Sequence, residues 1–137
     1  MPSFNHSLLQ ARLSSVLTQL NKYNIHSELT LIINDKDYTP DIVLYPKRKT
    51  SWFDDIIKMK EMPLAAIEII SPTQGTKELT DKFKLYFEAG IPSCWFVQPF
   101  PNMIAICTTP EDIKTFSSGD VIDETLDICF PLKDLFE

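Results

Sequence analysis

A short apolar segment in the middle of the chain constrains the fold more than any other part of the sequence. Residues 64–70 read Leu-Ala-Ala-Ile-Glu-Ile-Ile and are followed by Ser71 and Pro72. A run of this length that ends in turn-forming residues predicts a strand covered on both faces, as in the centre of a sheet. Glu68 lies inside this strand, where an unpaired carboxylate would be costly. The sequence therefore predicts either a bound cation beside Glu68 or a buried ion pair.

Two further segments have the periodicity of amphipathic helices. Residues 6–22 place leucine and valine at helical spacing after Ser3 and Asn5, either of which can cap a helix. Residues 77–89 contain a second apolar stripe, and the Gly90 that follows is a typical C-terminal stop. We expect these helices to pack against a sheet.

A β-hairpin is predicted between the two helices. Glu28–Ile33 and Tyr38–Tyr45 stand on either side of the turn-forming residues 34–37. A register centred in the middle of this turn sets Thr30 opposite Asp41. On that register the core face carries Leu29, Leu31, Ile33, Ile42 and Leu44, and the opposite face carries Glu28, Thr30, Asp41 and Val43. Asp41 would then point toward a cleft or toward the opposite layer.

The rest of the chain alternates loops with short strands. Residues 46–63 form a polar connection. The Trp52–Phe53 pair in this connection could stack on a base, but anchoring of the loop against the core is the expected use. Strands are predicted at 94–97, 103–107, 113–116 and 126–129, before a C-terminal turn or helix. The order of these elements indicates a single domain, residues 1–137, of the α/β or α+β class, with a mixed β-sheet flanked by helices.

The charge balance limits how this protein can bind nucleic acid. The chain has 137 residues, a formal net charge of −6 and a pI near 4.9. Proteins that hold DNA through bulk electrostatics usually have a basic face, so any nucleic-acid contact here is expected to be local. Basic residues do cluster in three places, at Lys47, Arg48 and Lys49, at Lys58 and Lys60, and at Lys77, Lys82 and Lys84.

The cysteines and the N-terminal residues bear on the cellular compartment. Cys94, Cys107 and Cys129 are odd in number and flanked by apolar residues, which predicts buried free thiols in a reducing compartment and no zinc site. No segment reaches the roughly 18 apolar residues that span a bilayer, and residues 1–10 lack the pattern of a secretion signal. We therefore expect a cytoplasmic protein without a membrane partner.

Three side chains could together form a metal-dependent phosphodiesterase site. Asp41 stands in a predicted strand, Glu68 in the buried strand, and Lys82 at the border of the apolar stripe of the second helix. Mg²⁺ commonly takes one or two carboxylates plus waters and substrate phosphate, and Mn²⁺ binds similar oxygen sites. Lys82 could orient or deprotonate an attacking water, or stabilise charge in the transition state. Glu28 is a candidate additional ligand, and an ion pair between Glu68 and Lys82 is the structural alternative.

The same residues resemble those of a known protein family. The chain is similar to the Uma-type putative restriction endonuclease family, within the PD-(D/E)XK nuclease superfamily. The motifs that carry the resemblance are Pro40-Asp41, Glu68 followed by Ile-Ile-Ser-Pro-Thr, Lys82 with Tyr86, Gly90-Ile91-Pro92, Trp95 and the closing PLKDLF.

The resemblance implies a restriction-endonuclease-like fold and a Mg²⁺-dependent endonuclease that hydrolyses DNA. In that reading the cation is held by Asp41, Glu68 and the backbone carbonyl of Ile69. The lysine that the superfamily usually places two residues after the glutamate is here Ile70. The resemblance therefore implies that Lys82 has taken over its role.

Two classes of function are consistent with these residues. The first is a Mg²⁺-dependent nuclease that cuts DNA, or RNA in its place. The second is a catalytically inactive module of the same fold that binds nucleic acid or protein. A homodimer is expected for the nuclease, because cutting two antiparallel strands calls for two sites. His6 and His26 have no recognisable serine or cysteine partner, so histidine chemistry is not expected.

Overall fold

The computed structural model describes residues 2–71 and 74–137, and among these the chain forms three helices and eleven strands. In chain order the elements are α1 (Phe4–Gln19), β1 (Tyr23–Ser27), β2 (Thr30–Ile33), β3 (Lys36–Tyr38), β4 (Ile42–Pro46), β5 (Lys58–Met59), β6 (Ala65–Ile69), α2 (Thr76–Glu88), β7 (Ser93–Gln98), β8 (Met103–Cys107), β9 (Ile113–Phe116), β10 (Asp120–Asp123), β11 (Ile128–Pro131) and α3 (Lys133–Phe136). Pro72 and Thr73, which belong to the sequence motif after Glu68, lie outside the described residues.

A six-stranded mixed sheet forms the centre of the fold. Its strand order is β1-β4-β6-β7-β8-β9, and every neighbouring pair is antiparallel except β6 and β7. Parallel neighbours need a crossover connection, which α2 supplies between β6 and β7. All five residues of β6 are buried, as the apolar run predicts. The mixed sheet flanked by helices is thus confirmed.

Helices and smaller sheets cover both faces of the central sheet. The first face packs against α1, α3 and the β10–β11 pair, and Leu13, Ile67 and Trp95 are fully buried there. The second face packs against α2 and a three-stranded sheet of order β3-β2-β5, through residues such as Val43 and Ala66. Because both of its faces lie against apolar layers, β6 reads as a continuous apolar run and not as an alternating pattern.

Both predicted helices form close to their expected bounds. The first begins slightly earlier than predicted because Ser3 caps it, accepting a hydrogen bond of 3.1 Å from the backbone nitrogen of His6. The second runs from Thr76 to Glu88, and Gly90 follows with a φ of 98°, which glycine adopts without strain. None of the described helices is long and apolar enough to cross a lipid bilayer.

The predicted register of the hairpin is wrong. The pairing of Ile33 with Lys36 leaves a turn of only Asn34 and Asp35, whose φ angles are 51° and 62°. Two-residue turns with positive φ match the twist of antiparallel strands, and Asn and Asp tolerate this backbone conformation. The hairpin therefore closes one residue earlier than predicted, and β3 ends at Tyr38.

Asp41 consequently does not lie opposite Thr30. The chain leaves the hairpin before Asp41, and Ile42 begins β4, which enters the central sheet between β1 and β6. No sequence pattern predicts β1, which pairs with β4 along its whole length. Asp41 thus lies immediately before β4, at the end of the central sheet where this strand begins.

The predicted division of the hairpin residues between two faces is also wrong. Ile42 and Leu44 pack in the apolar layer that contains α1. Leu31 and Ile33 pack in the opposite layer, together with Val43. The two segments belong to different sheets, so the alternation within one segment does not continue into the other.

Two expectations about individual side chains are wrong. Trp52 and Phe53 do not anchor their loop, because 92% and 97% of their surfaces are exposed. Cys129 is exposed, whereas Cys94 and Cys107 are buried free thiols as predicted. An exposed aromatic pair calls for an explanation in terms of binding and not of folding.

A second buried carboxylate, Asp123, ties β10 to β7. Its Oδ2 accepts hydrogen bonds from Ser93 Oγ at 2.6 Å and from Trp95 Nε1 at 2.8 Å. Its Oδ1 accepts a hydrogen bond of 3.1 Å from the backbone nitrogen of Leu126. Neutral donors on both oxygens satisfy this carboxylate within the protein, so its role is structural.

We expect Asp123→Ala to lower the free energy of unfolding by about 3 kcal/mol or more, because the Ser93 hydroxyl and the Leu126 backbone nitrogen would lose their acceptor at roughly 1–3 kcal/mol each. Trp95 Nε1 would keep Ser93 Oγ as a second acceptor, at 3.1 Å. Asp120→Ala, at the exposed start of the same strand, is the matched control and should change stability by less than about 0.5 kcal/mol. Urea unfolding of the three proteins gives the comparison. Similar stability in both variants would contradict the structural role of Asp123.

Candidate active site

Asp41 and Glu68 lie side by side at one end of the central sheet. The antiparallel register of β4 and β6 pairs Ile42 with Ile67, so the next position of this register sets Asp41 beside Glu68. Residues opposite each other on antiparallel strands have Cα atoms roughly 4.5–5.5 Å apart. The first turn of α1 and the first half of α2 reach the same end of the sheet. Side chains from four elements can therefore meet there.

Two side chains of α2 contact the Glu68 carboxylate. Glu68 is only 5% exposed. Its Oε2 accepts a hydrogen bond of 2.9 Å from the Tyr86 hydroxyl, and its Oε1 lies 3.5 Å from the ammonium nitrogen of Lys82. Lys82 and Tyr86 are four residues apart and so project from one face of the helix. The ion pair named as the structural alternative is thus present, at a distance longer than a normal hydrogen bond.

Burial makes the ionised form of Glu68 costly. Desolvation raises the pKa of Glu68 to about 7, and the nearby charge of Asp41 adds to the rise, whereas Lys82 and Tyr86 partly oppose it. Burial, and then the charge of Glu68, raise the pKa of the Tyr86 hydroxyl, which therefore remains a hydrogen-bond donor. A positive charge bound beside the two carboxylates would restore the ionised form of Glu68.

Asp41 is oriented by a backbone group and by a histidine. Its Oδ2 accepts a hydrogen bond of 2.7 Å from the backbone nitrogen of Ile69, and His6 Nε2 lies 3.2 Å from the same oxygen. Both of these groups, which belong to the residues that the structure describes, contact Oδ2. Neither of these two groups contacts the other carboxylate oxygen, Oδ1.

An open pocket of about 340 Å³ lies over the two carboxylates. The residues that line it are His6, Thr39, Asp41, Glu68, Ile69, Ser71, Gln74, Glu78 and Lys82. Three of these side chains are carboxylic acids and one is an amine, so the described lining has an excess of negative charge. A polar pocket of this kind suits a hydrated cation better than an apolar ligand.

The pocket contains most of the site residues that the sequence predicts. Those residues are Asp41, Glu68, Ile69 and Lys82. Glu28 does not line the pocket. Its exposed carboxylate accepts a hydrogen bond of 3.3 Å from Gln10, and its backbone nitrogen donates a hydrogen bond to the carbonyl of Asp41. A ligand role for Glu28 stays a prediction and would require a bridging water.

Two members of the site were not predicted. The hydroxyl of Tyr86 could have been found, because Tyr86 follows Lys82 by one helical turn and faces the same strand. The sequence offers His6 no recognisable serine or cysteine partner, but the structure gives it a carboxylate partner in Asp41. That contact joins residues far apart in sequence, and no local pattern indicates it.

The donor set fits a hard divalent cation such as Mg²⁺. Across the part of the chain that the structure describes, no group of three or more His, Cys, Asp or Glu side chains converges as a metal centre. Two carboxylates at one pocket are nevertheless what Mg²⁺ usually takes from a protein, with waters and phosphate completing its coordination. Its charge would also offset the burial and the repulsion from Asp41 that raise the pKa of Glu68.

The raised pKa of Glu68 predicts a pH-dependent stability of the metal-free protein. Folding raises this pKa from 4.5 to about 7, so stability is full below pH 4.5 and falls as the pH rises through 7. Glu68→Gln stays neutral and should lack this loss, being more stable than the wild type by up to about 3 kcal/mol at pH 8 and equal to it at pH 4. Urea unfolding in EDTA at both values tests this, with Glu88→Gln, an exposed glutamate at the end of α2, as the control. Parallel pH profiles in all three proteins would contradict it.

Comparisons with known proteins bear on the family and the fold. A sequence model of the Uma2 family, described as a putative restriction endonuclease, matches residues 1–130. No curated protein matches the chain. The fold is similar to the crystal structure of a putative nuclease belonging to DUF820 from Anabaena variabilis, with a TM-score of 0.79 and 21% sequence identity over 99% of this chain and 82% of that chain. The resemblance inferred from the sequence is thus confirmed, and the chain belongs to the Uma2 family of putative restriction endonucleases.

Proposed function

We propose that the protein is a Mg²⁺-dependent endonuclease that hydrolyses phosphodiester bonds of DNA. Family membership makes nucleic acid the expected class of substrate. The observation that carries the proposal is that Asp41 and Glu68 line one pocket, with Lys82 3.5 Å from Glu68. Hydrolysis of a phosphodiester requires a neutralised phosphate, a nucleophilic water and a stabilised leaving oxygen. These three residues supply the groups for that chemistry.

The cation would be held by the carboxylates of Asp41 and Glu68 and by the backbone carbonyl of Ile69, with Mn²⁺ as a substitute. When bound, it would neutralise phosphate charge and make a water nucleophilic near neutral pH. The chain prepares its ligands in advance, because one oxygen of each carboxylate already accepts a hydrogen bond, from the Ile69 nitrogen or from the Tyr86 hydroxyl. Ligands held in this way lose little freedom on binding.

Lys82 is placed to act on the phosphate or on the attacking water. Its side chain is partly buried and lines the pocket beside Glu68. An ammonium group there can donate a hydrogen bond to a phosphate oxygen, or hold and deprotonate a water. Ile70, at the usual position of the superfamily's lysine, packs in the apolar layer with α2 and cannot serve in that way.

A basic segment that ends beside the pocket is the proposed contact for the nucleic acid. Residues 47–60 contain five basic and two acidic residues, in contrast to the acidic chain as a whole. At the end of this segment Lys58 pairs with Thr30, whose hydroxyl lies 2.9 Å from that of Thr39 in the pocket lining. A strand bound to the segment would therefore pass close to the pocket.

Trp52 and Phe53 add stacking surfaces to this segment. Both rings are almost fully exposed, and Lys47, Arg48 and Lys49 precede them in the chain. Exposed aromatic rings among basic residues are what single-stranded nucleic acids stack on, at about 1–3 kcal/mol per base. This arrangement supports a local contact of the kind that the acidic pI requires.

A catalytically inactive module that binds nucleic acid or protein is the alternative. The contacts of Glu68 with Lys82 and Tyr86 favour it, because both carboxylate oxygens already have partners in the protein.

RNA in place of DNA would present the same phosphodiester chemistry. A homodimer would give the nuclease a second site for the second strand.

A Mn²⁺ titration joined to a cleavage assay separates the nuclease from the module. We expect saturable binding by the wild type and none by Glu68→Gln, because one of two carboxylate ligands is removed. Lys82→Ala should bind Mn²⁺ within about threefold of the wild type but cleave plasmid DNA about 100-fold more slowly, since a transition-state donor is lost. Lys84→Ala, exposed on the same helix, is the matched control and should retain both properties.

The possible results lead to different conclusions. Absence of saturable Mn²⁺ binding by the wild type, with and without DNA, would contradict the nuclease proposal and favour the inactive module. Equal cleavage rates for Lys82→Ala and Lys84→Ala would remove Lys82 from the catalytic residues while leaving the metal site in place.

The proposed nucleic-acid contact has its own test. We expect the double variant Trp52→Ala, Phe53→Ala to bind single-stranded DNA about tenfold more weakly or worse, because two stacking surfaces are lost, with unchanged Mn²⁺ affinity. Fluorescence anisotropy with a labelled oligonucleotide measures the affinity. Ile122→Ala, which removes an exposed apolar side chain from β10, is the control. DNA affinity equal in the two variants would exclude this segment as the contact.

A further inference from the structure

His6 forms the part of the pocket wall that the first turn of α1 supplies. Its side chain is 11% exposed, and its two ring nitrogens have different surroundings. Nε2 lies 3.2 Å from Asp41 Oδ2. Nδ1 is buried and has no hydrogen-bond partner among the residues that the structure describes. Nε2 thus contacts Asp41, whereas Nδ1 is buried without a partner among the described residues.

We propose that His6 is a positioning residue that holds Asp41 in the orientation in which its carboxylate binds the divalent cation. The identity of the ligand rests on the proposed nuclease function. His6 and the backbone nitrogen of Ile69 meet the same oxygen of Asp41 from two sides. The carboxylate then cannot rotate freely, and Oδ1 is presented to the pocket.

The surroundings of the ring exclude a more direct role in catalysis. A general acid or base needs a ring nitrogen that can reach the reacting group. Nδ1 is buried and cannot reach a substrate, and Nε2 is directed at Asp41. His6 therefore acts on the reaction only through Asp41.

One tautomer of His6 fits these surroundings. With the ring proton on Nε2, the N–H group meets the carboxylate oxygen of Asp41 and Nδ1 is a bare acceptor. The opposite tautomer would set the lone pair of Nε2 against a carboxylate oxygen. It would also leave a buried N–H donor without an acceptor, which is unfavourable.

The helix that contains His6 is itself held against the Asp41 segment. Ser3 caps the first turn of α1 at the backbone nitrogen of His6. One turn further on, Gln10 donates hydrogen bonds of 3.0 Å to the backbone carbonyl of Asp41 and of 3.3 Å to the carboxylate of Glu28. The helix thus contacts both the main chain and the side chain of Asp41. Second contacts of this kind orient metal ligands, and their loss typically weakens metal binding by about 10–100-fold.

The test compares Mn²⁺ affinities of the full-length protein by isothermal titration calorimetry. We expect His6→Ala to bind Mn²⁺ about tenfold more weakly or worse, and His6→Asn likewise, because its amide nitrogen falls short of Asp41. His6→Gln places an amide nitrogen near the position of Nε2 and should recover affinity to within about threefold. Ser7→Ala, exposed on the same turn, is the control. Thermal unfolding in EDTA verifies that each variant is folded.

Each result bears on the proposal. Wild-type affinity in His6→Ala overturns the role of His6 and leaves the nuclease function standing. Equal loss in the Ala and Gln variants also overturns it, because the contribution would then be packing and not the ring N–H. No binding by the wild type overturns both proposals.

A second measurement needs no variant. Nitrogen-15 NMR of the metal-free wild-type protein at pH 8 should find the His6 ring proton on Nε2. A proton on Nδ1 would overturn the proposal whatever the stability of the variants.

Discussion

The position of Glu68 in a strand buried on both faces is the constraint on which the rest of the structure depends. Its carboxylate must have partners, and Lys82 and Tyr86 supply them from one face of α2. Those contacts set the rotation of the helix against the sheet, so the packing of the fold and the arrangement of the site have the same cause. A buried pair of this kind seldom stabilises a fold more than apolar residues would. On the proposed function, a cation bound beside Glu68 accounts for this pair better than stability does.

A comparison of the two buried carboxylates in central positions supports this reading. Asp123 accepts hydrogen bonds from Ser93, Trp95 and a backbone nitrogen, and it does not line the pocket over Asp41 and Glu68. Glu68 accepts one hydrogen bond from the Tyr86 hydroxyl, and the Lys82 ammonium group lies farther away. A second carboxylate, that of Asp41, lies beside it. A carboxylate placed for structure is surrounded by neutral donors, whereas one placed for a cation lies near another negative charge. Glu68 has such a neighbouring negative charge in Asp41, which supports the cation site of the proposed function.

The parts of this arrangement that the sequence predicts are those for which the information is local. The apolar run around Glu68 and the helical spacing of Lys82 are local patterns, and the structure confirms the strand and the face of the helix. The predicted centre of the hairpin turn was wrong by one residue, because Asn34 and Asp35 both accept positive φ within a longer run of turn-forming residues. The contact of His6 could not be predicted, since it depends on how α1 crosses the end of a sheet built from later segments.

On the proposed function, the charges around the pocket determine the order in which its ligands bind. Asp41, Glu68 and Glu78 line the pocket together with Lys82, and this described lining repels a phosphate at short range. A divalent cation must reverse that balance before a phosphate can approach. The net charge of −6 is therefore compatible with a nuclease, because the phosphate contact at the site is made through the cation. Contacts that need no cation are then made by Lys82 at the pocket and by the basic and aromatic residues of 47–60, which explains how an acidic chain can act on an acidic polymer.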